Sequence, residues 1–123
     1  MEGGCSRLEG KVPRQKTYSA QNGYVYQYQF SGQTSTETGT HYVFHVWSQG
    51  AALLEVTVML EASVAAAWEA QNQFLLTETQ RYAMAKMAFF QALDEGPGPR
   101  PPPGPIAIRR EDLAAIAVAL NLI

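Results

Sequence analysis

YVYQYQF, residues 24–30, alternates with a period of two, so that Tyr24, Tyr26, Tyr28 and Phe30 fall on one side of a strand and Val25, Gln27 and Gln29 on the other. The aromatic row is either a working surface for bases or sugars or the underside of a core. Two further segments with the same alternation, residues 41–47 and 53–60, decide between these. Their even positions are Tyr42, Phe44 and Val46, then Leu54, Val56, Val58 and Leu60, all aromatic or aliphatic. Together with the aromatic row they make one face that needs cover. The odd positions, His41, Val43, His45 and Trp47, then Leu53, Glu55, Thr57 and Met59, make a mixed face. An antiparallel sheet commonly buries one side and leaves the other in water, which matches this division.

The connection between the second and third segments fixes their register. If Gln49-Gly50-Ala51 is a three-residue hairpin loop, paired residue numbers add to 100 and even positions oppose even ones. A two-residue loop would turn one apolar face outward, so it is rejected. The retained register puts His45 opposite Glu55 and His41 opposite Met59.

Outward from these strands, the period changes. A further strand is expected near Thr17 or after the turn dipeptide Asn22-Gly23. After Leu60, Ser63 is the expected cap of an Ala-rich helix running to about Ala70. Thr77 and Gln80 have the spacing of a capping box, and a helix follows from Glu78 to about Asp94. Its apolar surface, with Tyr82, Met84, Ala85, Met87, Phe89, Phe90 and Leu93, is broader than one stripe. Lys86 is expected to lay its stem over that surface with its amine in water, and Arg81 to pair with Glu78.

GPGPRPPPGP, residues 96–105, reads as a semi-rigid connector, and its composition is explained without an SH3-type ligand role. Residues 106–108 offer an edge strand. Glu111 and Asp112 favour the start of a last helix to about Leu120, with Leu113, Ile116, Ala117 and Leu120 on its buried stripe. The expected fold is α+β: an antiparallel sheet of three to four strands packed on one face by helices, with the proline-rich connector and a C-terminal helix. Residues 17–123 are expected to form a single domain behind a flexible N-terminal arm, 1–16.

Composition bounds the function. The chain of 123 residues is 46% hydrophobic and 16% charged, an ordinary globular balance with a formal charge of −2. The charge is uneven: the arm carries Arg7, Lys11, Arg14 and Lys16, whereas residues 21–80 contain no Lys or Arg and five glutamates, Glu37, Glu55, Glu61, Glu69 and Glu78. Single-strand binders combine stacking aromatics with cations that neutralise phosphate. The sheet segments have none, so the aromatic row is assigned to the core, and a weak electrostatic contact through the arm is all that nucleic acid could use. The single Cys5 excludes an intramolecular disulfide, and without a signal-like stretch the cytoplasm is the expected compartment. No membrane span is expected, since the apolar stretches are interrupted well short of about 20 residues.

No motif for a catalytic nucleophile, phosphate loop, dinucleotide site or metal site occurs in the chain. His41 and His45 share a face, but four strand residues separate them by ~13 Å, too far for one metal ion. No metal, cofactor or catalytic residue is therefore assigned. A His45–Glu55 pair would orient one imidazole nitrogen, with Ser48 and Thr57 as the nearest hydroxyls. The mixed face, with His41, Val43, His45, Trp47, Leu53, Glu55, Thr57 and Met59, is the candidate surface because it exposes more apolar area than a solvated face requires. Self-association, most simply as a homodimer, is expected through this face or through the broad helix 78–94. The alternatives are docking of another protein or a small-molecule or enzymatic groove using His45 and Glu55.

Overall fold

The computed structural model describes residues 15–48, 53–102 and 104–122. Four strands, β1 (Lys16–Ser19), β2 (Val25–Thr36), β3 (Gly39–Ser48) and β4 (Leu54–Glu61), lead into helices α1 (Ala62–Asn72) and α2 (Glu78–Glu95), then β5 (Ile106–Ala107) and α3 (Arg110–Ala119). The strands form one sheet in the order β1-β2-β3-β4-β5. The α+β class stands, but the expected antiparallel sheet of three to four strands is corrected to a five-stranded mixed sheet. β5 pairs with β4 in parallel, Val58 with Ile106 and Met59 with Ala107. The cause is the connection: two helices and the proline strap carry the chain back before it pairs, and only such a crossover can deliver a parallel neighbour.

The parity argument gives the core. Tyr26, Tyr42, Phe44, Val46, Val56, Val58 and Leu60 are buried against Met84, Ala85, Phe89 and Leu93 of α2 and Leu113, Ile116 and Ala117 of α3. The Phe44 and Phe89 rings stack with centroids 4.3 Å apart, a pairing worth about 0.5–1.5 kcal/mol beyond the area it removes from water. β3 and β4 pair as expected, from Gly39 with Glu61 to Val46 with Leu54, the numbers adding to 100 throughout. The loop that sets this register, with Gln49-Gly50-Ala51, lies outside the described residues. So does the N-terminal arm up to Arg14, whereas Lys16, assigned to that arm, opens β1.

Several local expectations change. Tyr24 shares parity with the core but is 41% exposed, because the chain is still turning there and β2 begins one residue later. Glu61, not Ser63, occupies the cap of α1, and it makes no side-chain cap bond. The capping box of α2 is as expected: the Thr77 hydroxyl accepts from the Gln80 N–H at 3.1 Å, and the Thr77 N–H donates to the Gln80 side chain at 2.9 Å. Arg81 pairs with Glu69 rather than Glu78, at 3.1 Å, because the short α1–α2 connection folds back on Glu69, whose backbone carbonyl accepts the Phe74 N–H and whose carboxylate accepts the Leu76 N–H at 2.8 Å. The Lys86 ammonium stands over the rings of Tyr28 and Phe90, 5.7 and 5.8 Å from their centroids.

The β1–β2 turn secures the far end of α2. Asn22 donates through Nδ2 to the carbonyls of Leu93 and Gly96, both at 2.9 Å, and Gln21 N–H donates to Asp94 at 2.9 Å. The strap of residues 96–105 therefore leaves α2 from a fixed point and crosses the end of the sheet towards β5. Gly98, at φ +59°, lies so close to the Tyr24 ring that a Cβ there would overlap it. That approach and the left-handed backbone both require glycine.

Candidate functional site

All described helices pack on the even face, so among the described residues no layer covers the odd face of the sheet. β3 runs through its middle and presents His41, Val43, His45 and Trp47, while β4 presents Glu55, Thr57 and Met59. Extending the same register places Leu53, the residue before β4, opposite Trp47. The candidate residues therefore share one surface, in rows that cross the strands.

The uppermost row joins Gln27 of β2 to Trp47. Val25 and Leu53 flank it, each 49% exposed. The next row is Gln29, His45 and Glu55. Below it come Gly32, Val43 and Thr57, then Thr34, His41, Met59 and, across the parallel pair, Ala107. The rows beyond Phe30 include β2 residues of even number because Ser31 is bulged out of the ladder, shifting the register between Phe30 and Gly32. The alternation of YVYQYQF gives no sign of that shift, so Gly32 and Thr34 are additions that pattern reading missed. The glycine after the serine is the local signal that points to it.

His45 Nε2 and Glu55 Oε2 lie 3.5 Å apart, with the two side chains 33% and 64% exposed. Their backbone geometry accounts for the closeness. The Met59 carbonyl accepts from Ile108 N–H at 3.0 Å, so Met59 points its polar groups away from β3. By alternation Glu55 does the same, which makes His45–Glu55 a non-hydrogen-bonded pair, the kind whose side chains approach most closely. Solvent screening keeps such an exposed pair weak, at ~0.2–1 kcal/mol. His41 is in a different row, between Thr34 and Met59, four residues along β3 from His45. Among the described residues, no group of three or more His, Cys, Asp or Glu is placed to hold a metal ion.

The face is therefore apolar at Val25, Val43, Trp47, Leu53 and Met59, polar in between, and nearly neutral. The acidic groups of residues 21–80 are mostly elsewhere: Glu69 is tied to Arg81 between helices and Glu78 begins α2. A flat face of this kind suits docking of another flat surface, and its His–Glu pair with Thr57 nearby suits a polar ligand. Among the described residues, no helix is long and apolar enough to cross a membrane. No family model matches the chain, and neither a curated protein nor a solved structure matches it.

Proposed function

We propose that this protein is a non-enzymatic interaction module that self-associates as a homodimer through the open face of its sheet. The observation that carries the reading is the apolar group of Val25 and Leu53, each 49% exposed, with the partly buried Val43, Trp47 and Met59, on a face that none of the described helices covers. Apolar area of this extent usually marks an interaction surface, and Trp is the side chain most often found as its anchor. Low charge favours a second copy as occupant, since the paired rows hold two acidic groups, Glu55 with His45 beside it and Glu61 at the far end of β4 opposite Gly39. A two-fold arrangement brings the same patch against itself and closes the assembly at two subunits.

The test is absolute mass in solution, by light scattering on the eluting peak of a sizing column over a range of concentrations. The reading expects a dimer that dissociates on dilution. A monomer at every concentration would reject it and leave a different protein as the occupant of the face.

A second reading, binding of a small polar molecule or an enzymatic role beside Trp47, draws support from the 3.5 Å His45–Glu55 approach. It expects His45→Gln to abolish ligand binding while leaving assembly intact. Unchanged binding after that substitution would remove its main residue.

A further inference from the structure

We infer a second binding site, at the sheet edge that adjoins the open face and shares Glu55 with it: the groove between the outer edge of β4 and the proline strap takes an extended peptide segment that carries a carboxylate. The groove has a volume of about 640 Å³ and is lined by Leu54, Glu55 and Val56 on one side and by the strap from Pro97 to Pro102 with Gly104 on the other.

Its chemistry follows from where β5 stops. β5 pairs with β4 at Val58 and Met59. β4 itself begins at Leu54, so its first half has β3 on one side and no strand on the other among the described residues. The Met59 carbonyl, bonded to Ile108 N–H, fixes which residues face outward. Met59, Thr57 and Glu55 turn their backbone polar groups to the β5 side. Continuing β5 backwards in the same register would set the Gly104 N–H against the Glu55 carbonyl and the Gly104 carbonyl against the Thr57 N–H, but Gly104 at φ +75° turns the backbone out of an extended path. The strap therefore stands beside the edge without pairing to it. The Thr57 N–H and both backbone groups of Glu55 have no strand partner among the described residues.

An edge of that kind is completed by an extended backbone, in the manner of strand addition. The distance from Glu55 to Thr57 is ~7 Å, so a segment of about four residues covers it. The prolines supply a rigid apolar wall, which suits alternate β-branched side chains. Charge selects among such segments. Arg100 lines the same groove, is exposed, and has no ion-pair partner among the described residues. A carboxylate on the incoming segment supplies one.

The test uses the full chain and two capped four-residue peptides of valine and threonine, one ending in aspartate and the other in asparagine. Backbone amide signals of Glu55 and Thr57 are followed by NMR as each peptide is added. The inference expects saturable shifts at these two amides, with the aspartate peptide binding roughly two- to fivefold more tightly, the range for an exposed ion pair. In Arg100→Gln, whose side chain is exposed and leaves the fold intact, that preference should vanish. No shift at Glu55 and Thr57 up to millimolar peptide would overturn the site. Equal binding of the two peptides would overturn the carboxylate. Shifts confined to Val43, His45 and Trp47 would place the peptide on the open face and overturn the groove, whatever the fate of the dimer.

Discussion

The Tyr18 hydroxyl donates to both carboxylate oxygens of Asp94, at 2.7 and 2.8 Å, joining the edge strand β1 to the end of α2. The Tyr18 ring also stacks on Phe90, centroids 4.0 Å apart, so one side chain fixes an edge strand of four residues to the helical layer. Tyr18→Phe keeps the stack and removes the bonds to the carboxylate. The expected loss is about 1–2 kcal/mol, the range for a hydrogen bond to a charged group at a partly exposed site, read from denaturant unfolding.

The same contact gives an alkaline limb to stability. Burial, with the Asp94 hydrogen bond and its negative charge, pushes the Tyr18 phenol up to about 12 from an ordinary value of 10.0. The folded state therefore holds this proton more tightly than the unfolded chain. Its contribution is complete below pH 10 and declines as pH rises from about 10 to about 12. Tyr18→Phe should flatten the fall in unfolding free energy over that window; an unchanged slope would mean that Tyr18 is not its source.

Gly98→Ala should destabilise the protein by about 1–3 kcal/mol, since it adds left-handed strain to a steric overlap with the Tyr24 ring. Combining it with Tyr24→Ala removes the overlap and leaves the strain. The double variant should then be less affected than the two single costs predict, and thermal unfolding of all three measures the coupling.

Glu69→Ala removes the acceptor shared by Arg81 and the Leu76 N–H, in a partly buried setting where both donors lose their partner. The expected cost is about 2 kcal/mol. Glu78→Ala, at the alternative carboxylate, should cost under about 0.5 kcal/mol, and reversal of that order would show that Arg81 pairs within its own helix.

Trp47→Glu places a charge in the uppermost row of the open face. If that face holds the dimer, dissociation should strengthen by roughly thirtyfold or more, the effect of losing an interface anchor of ~2 kcal/mol. Light scattering across a dilution series reads it. Assembly and stability both unchanged would remove the sheet face as the interface.

The alternation of residues 24–30, 41–47 and 53–60 carries the fold class and the identity of the buried face by itself, because each strand side must be uniformly apolar to be covered. With the three-residue connection Gln49-Gly50-Ala51 it also carries the β3–β4 register, and with it the placement of His45 opposite Glu55. The capping box at Thr77 is equally local: its two hydrogen bonds join residues three apart, so sequence spacing is enough.

Tertiary structure decided the rest, wherever the partner is distant in the chain. Arg81 has Glu78 within a turn, yet it pairs with Glu69, because the connection between α1 and α2 folds back to bring a carboxylate already oriented by Leu76 N–H. Tyr24 has the parity of a core residue and ends beneath Gly98, a neighbour that the path of the strap supplies. Residues 96–105 read as a connector in isolation. Their prolines become one wall of a groove only because β5 lies parallel to β4 and begins at Ile106, opposite Val58, leaving the first half of β4 as an edge that the turned backbone at Gly104 does not close.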